Sequence, residues 1–153
     1  MNFTPLWFFL HVTGAVVWVG GMYFAYFCLR PVAVQQLEPP ARLRLWAAVF
    51  ERFFPAVWVA VVAIVGSGLA MLLAVGMQQA PLHFHLMLAS GLTMVAIFAY
   101  VFFAPYRRLC AGAAASDWKA AGAALNRIRQ AVGVNLGLGF VTIAVATLGR
   151  AFG

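Results

Sequence analysis

The chain has 153 residues, 65% of them hydrophobic and 8% charged, and ten basic side chains against three acidic ones give a net charge of +7. A soluble domain carries about 25% charged residues, so this composition excludes a soluble enzyme and points to an integral membrane protein. At roughly 20 apolar residues per span, the length allows about four membrane helices and leaves no soluble domain of useful size.

The first apolar segment, about 5–29, contains His11, Gly14, Trp18, Gly20, Gly21, Met22 and Cys28. It has no basic region before it and is too long for a signal-peptide core, so it is expected to be a retained span. The next stretch, 30–53, carries Arg30, Arg42, Arg44 and Arg52 beside Glu38 and Glu51. Within it Leu43, Trp46, Val49, Phe50 and Phe53 recur at helical spacing, predicting an amphipathic interfacial helix or an extension of the second span. "FERFFPAVW" then places Glu51 and Arg52 as a local ion pair at the membrane surface and Pro55 in the first turn of the second span.

The second segment, about 54–77, ends with Met71 and Met77 before an uncharged turn around Gly76–Pro81. The third, about 82–105, opens on "LHFHLM" with His83, His85 and Met87. Residues 106–130 are basic again, with Ser116 placed to cap a short helix and Asn126, Arg127 and Asn135 placed to bond toward the Glu51 cluster. The fourth segment, about 131–149, closes an all-α four-helix bundle with short amphipathic cytoplasmic helices, one membrane domain over 1–153.

By the positive-inside rule both basic loops are cytoplasmic, while both termini and the 76–81 turn face the periplasm of a bacterial inner membrane. Arg150 is the dissenting charge. The basic residues lie between apolar runs, so they read as topology signals and contacts to the lipid bilayer, with no role for nucleic acid. Cys28 and Cys110 form no CxxC pair and no disulfide framework.

This topology brings His11, His83 and His85 to one depth near the outer face, with Met71 and Met77 level with them. His83 and His85 are about 200° apart around a helix axis, so one of them at most points squarely into the bundle. His11 and Met22 are eleven residues apart, as are His83 and Met94. Gly14 and Trp18 share the His11 stripe; Met87 and Ser90 share the His83 stripe. These matching stripes hint at a weak internal duplication and favour His83 as the partner of His11.

Imidazole ligates haem iron, copper or zinc. No carboxylate lies within a span, which argues against a proton relay and a zinc hydrolase, and there is no HExxH, Ser/His/Asp set or phosphate loop. Two metal readings remain. In the first, haem b sits between the first and third helices, held by His11 and by His85 or His83, and serves electron transfer or membrane redox chemistry. Arg30, Arg107 and Arg108 are then at the wrong end to meet propionates. In the second, the outer histidines with Met71, Met77 and Met87 collect copper, Met22 and Met94 lie deeper, and Cys28 and Cys110 sit near the cytoplasmic exit.

"HVTGAVVWVGGMYFAYFCLRP", "ERFFPAVWVAVVAIVGSGLAM", "LHFHLM" and "LNRIRQAVGVNLGLGFVTIAVATLG" together resemble the small four-helix proteins of the copper resistance protein D (CopD) family. The resemblance implies copper handling. The chain is more distantly similar to HemJ-type protoporphyrinogen oxidases, which implies a haem b ligated by His11. There His85 occupies the place of a lysine, so the resemblance does not extend to that activity. Haem stands slightly ahead of copper, and the family comparison favours His85 narrowly over His83 as the inward ring. A redox partner or copper chaperone is not legible, nor is a dimer interface, although bundles of this size can form homodimers.

Overall fold

A computed structural model describes residues 4–76 and 78–149. Met77 and Arg150 therefore lie outside the described residues, and their predicted roles with them. Six α-helices follow in order: α1 (Thr4–Tyr23), α2 (Arg30–Gln36), α3 (Pro39–Val75), α4 (Leu82–Phe103), α5 (Pro105–Ala114) and α6 (Trp118–Leu148). A π-helical segment, Phe24–Leu29, joins α1 to α2. Four helical stretches are long and apolar enough to cross a membrane: Thr4–Gln36, Pro39–Val75, Leu82–Ala114 and Trp118–Leu148. The protein is a multi-pass, all-α membrane protein.

Each span runs further than its apolar segment. The α3 helix has 37 residues, a length of about 55 Å at 1.5 Å per residue, whereas the hydrocarbon core is about 30 Å thick. The amphipathic stretch after Pro39-Pro40 is thus a continuous extension of the second span, the prolines occupying its first turn, where no N–H partner is lost. Pro55 is not in a first turn; it lies inside α3. The third span instead breaks at Ala104, whose backbone leaves the helical region (φ −117, ψ −82) directly before Pro105.

The chain then reverses through a short turn in which Ser116 takes a positive φ of 56°. The cap of α6 is not Ser116 but Asp117, whose carboxylate accepts the Ala120 N–H at 3.0 Å. This hairpin is tight. A Cβ on Gly112 would lie 2.9 Å from the Ala121 nitrogen, so only glycine lets α5 lie this close to α6. Leu109 and Ile128 are fully buried between the two helices.

The spans pack cyclically. α1 lies along α3 and α4 along α6; weaker contacts α3–α4 and α1–α6 close the ring, and α3 also meets α6. The first and third spans therefore face each other across the bundle centre. Gly14 sets the α1–α3 distance, since a Cβ there would meet Ile64 Cγ1 at 2.8 Å and the Ala60 carbonyl at 3.0 Å.

The outward faces are apolar, with Val59, Val62, Leu73 and Phe9 among the most exposed side chains. The interior divides along its length. Toward the basic loops it is filled by aromatic rings: Phe50 stacks on Phe54 at 4.9 Å, and Phe98 sits edge-on to Trp18, Phe54 and Trp58 at 6.0, 5.4 and 5.0 Å. Toward the uncharged turn it is hollow.

Candidate metal site

The hollow half contains a cavity of about 920 Å³ bounded by α1, α3, α4 and α6. His11, Trp18, Met71, His83, Met87 and Met94 all line it. The stripe geometry explains why. On α1, Gly14, Trp18 and Met22 follow His11 at helical intervals and are buried. On α4, Met87, Ser90 and Met94 follow His83; Met94 is buried, and Ser90 accepts a hydrogen bond from the Thr142 hydroxyl at 2.8 Å.

His11 is held by α3. Its Nδ1 is 3.0 Å from the Ile64 carbonyl oxygen and 3.1 Å from Ser67 Oγ. A carbonyl only accepts, so Nδ1 carries the proton and donates. The buried Ser67 hydroxyl donates in turn to the Ala63 carbonyl, which leaves its oxygen to receive the His11 N–H. Gly68 completes the seat, since a Cβ there would lie 3.3 Å from His11 Cε1. With Nδ1 fixed to the backbone, Nε2 keeps its lone pair for a ligand. Metal-binding histidines are oriented by an outer partner of this kind.

The two neighbouring histidines part company. His83 lines the cavity, whereas His85 is exposed on the outer surface of α4. The preference for His85 as the inward ring is therefore corrected. Helix rotation is the physical cause: with Met87, Ser90 and Met94 facing inward, His83 shares their face and His85 cannot. His83 is also pressed toward the end of α6, where a Cβ on Gly149 would come within 3.0 Å of its own Cβ.

Several other expectations change. Gly14 spaces α1 from α3 and does not line the cavity. Neither cysteine borders either end cavity: Cys28 is exposed and Cys110 half-buried. Arg52 and Glu51 are both exposed and form no ion pair. Asn135 does not bond to the Glu51 cluster; it is buried in the bundle centre and donates from Nδ2 to the Met94 carbonyl at 3.3 Å. Its Oδ1 finds no partner among the described residues. No group of three or more His, Cys, Asp or Glu that could hold a metal occurs among them either. Among the described residues that line the cavity, the side chains suited to a metal are histidine and methionine.

A family model for copper resistance protein D matches residues 47–148. The chain belongs to the copper resistance protein D family. Among curated proteins and solved structures, none matches it. The CopD match covers Met71, His83, Met87 and Met94, and begins well after His11. Within the family frame the chain is a membrane protein related to copper resistance, and copper rather than haem is the metal its membership supports.

Proposed function

We propose that this CopD-family protein binds Cu(I) in the cavity at its uncharged end, as a copper-binding or copper-transport protein. The observation that carries the reading is the seat of His11: Nδ1 is committed to Ile64, and the ring borders the cavity that His83, Met71 and Met87 also line. Thioether is a soft donor suited to Cu(I), imidazole is a borderline donor that also suits copper, and both are neutral. Among the described residues, no carboxylate or thiolate lines the cavity to offset a buried charge. The desolvation cost grows with the square of the charge, so a neutral ligand set in an apolar cavity favours the monovalent ion over the divalent one. Methionine side chains are unbranched and adaptable, and can close on an ion from the walls of a space larger than the ion itself. Both basic loops lie at the opposite end, which by the positive-inside rule supports a copper site on the periplasmic side of a bacterial inner membrane.

Haem fits this cavity less well. The volume falls within the range of small-molecule sites, but no arginine or lysine among the described residues lines it to pair with propionates. The ligand favoured by similarity, His85, points away from it.

The test is copper content. Purified protein loaded with Cu(I) under reducing conditions and freed of excess is expected to retain one copper per chain, and His11→Ala to lose most of it. Wild-type stoichiometry in His11→Ala would remove this site from consideration.

A further inference from the structure

The basic end holds a second cavity, of about 280 Å³, where the π segment, the start of α3 and the start of α6 meet. Arg30, Arg42 and Arg129 line it, all three half-buried. No carboxylate borders it, and none of the three arginines forms an ion pair with a described residue. The chain's acidic residues, Glu38, Glu51 and Asp117, are all exposed; Glu38 and Asp117 directly precede the lining residues Pro39 and Trp118 but do not themselves line the cavity. Arg30 lies over the Tyr26 ring at 5.6 Å, which orients it without neutralising it. Three uncompensated guanidinium groups around one partly enclosed space repel one another, and an anion with several acceptor oxygens would relieve that repulsion.

The remaining walls are apolar. Leu43, Phe50, Leu125 and Val132 face the same space, so its occupant has a charged head and a hydrocarbon part. The geometry points to an anionic phospholipid seated here, its phosphate held by Arg30, Arg42 and Arg129 and the start of an acyl chain lying along Leu43, Phe50, Leu125 and Val132. The basic end is the one that the positive-inside rule assigns to the cytoplasmic leaflet, where anionic lipids are met. The exposed Phe24 and Phe27 of the π segment continue an apolar surface along which the chain can run on. The lipid site stands independently of copper binding.

Delipidated protein in detergent, titrated with phosphatidylglycerol or with phosphatidylcholine of the same acyl chains and read by native mass spectrometry, tests the assignment. One phosphatidylglycerol per chain is expected, bound at least about tenfold more tightly than phosphatidylcholine, and inorganic phosphate at millimolar concentration does not displace it. Arg42→Gln/Arg129→Gln abolishes the preference. Arg107→Gln/Arg108→Gln, which removes two exposed charges outside the cavity, preserves it.

Gly122→Leu provides a test that leaves every charge in place. Gly122 lines the cavity on α6, and a Cβ there would meet nothing within 4 Å, so leucine puts added bulk on that wall with better helix propensity. It is expected to weaken phosphatidylglycerol binding at least about tenfold. Equal binding of the two lipids, full displacement by inorganic phosphate, equal losses from the two arginine pairs, or undiminished binding in Gly122→Leu would each overturn the assignment.

Discussion

The two end cavities have opposite chemistry although three of the four spans contribute to both. The larger one, about 920 Å³, is lined by imidazole and thioether and, among the described residues, by no charged side chain. The smaller, about 280 Å³, is lined by three guanidinium groups and by aromatic and aliphatic walls. One suits a soft cation, the other an anion. Between them lies a void of about 30 Å³, lined by Trp18, Met22, Phe50, Phe98 and Asn135 among others, within the aromatic packing. A Cu(I) ion passing inward along the axis would therefore leave its soft ligands, cross a ring of packed aromatics and meet like charges. The comparison favours a site that loads and unloads at the uncharged end over a conduit through the bundle.

The largest expected effect comes from breaking the partition. Phe54 is buried and in ring contact with Phe50, Phe98, Phe102 and Tyr106. Phe54→Ala is expected to destabilise the bundle by about 3 kcal/mol, the low end for such truncations because lipid supplies less hydrophobic driving force than water. Thermal unfolding in detergent, followed by circular dichroism, would show it as a clear drop in Tm. An unchanged Tm would mean that the aromatic belt does not hold the two ends apart.

Next in size are the changes at the seat of His11. Gly68→Val puts bulk where the His11 ring lies, and is expected to lower Cu(I) affinity by roughly ten- to a hundredfold, as losing an orienting partner does. Competition with a chelator of known affinity measures this. Lipid binding at the basic end should be unaffected, since the two cavities share no lining residue. The histidine pair sharpens the contrast within one turn of helix: His83→Ala should reduce copper retention, and His85→Ala should leave it at the wild-type level.

The smallest effect is expected at the centre. Asn135→Leu replaces a buried amide, one of whose atoms has no partner among the described residues, by a side chain of similar size. Stability should be unchanged or rise by up to about 1 kcal/mol. A loss of more than about 2 kcal/mol in chemical denaturation would show that Oδ1 is satisfied by a bound water.

The spans were legible because lipid tolerates so few sequences: four charge-free apolar runs have one stable form. Their ends were less so. Apolarity marks where a helix meets hydrocarbon, whereas hydrogen bonding carries α3 and α6 well beyond it. The stripes of Gly14, Trp18 and Met22 and of Met87, Ser90 and Met94 were correct guides to the interior, and followed consistently they select His83. The preference for His85 came from similarity, which carries a position's identity but not the rotation of a helix.

The Ser67 and Gly68 seat was hidden because it joins residues 56 and 57 positions from His11 on a different span. A serine and a glycine in an apolar helix also read as ordinary packing. The arginine cavity was hidden for a related reason. Arg30, Arg42 and Arg129 each look like a topology signal, and only the fold of α3 and α6 brings them around one space.

The central claim, a mixed imidazole and thioether site at the uncharged end, is tested most directly by the copper K-edge X-ray absorption spectrum of the Cu(I)-loaded protein. A first shell containing both nitrogen and sulfur is expected, with the nitrogen contribution falling in both His11→Ala and His83→Ala. A shell of sulfur alone, or nitrogen scattering unchanged in both variants, would contradict the account.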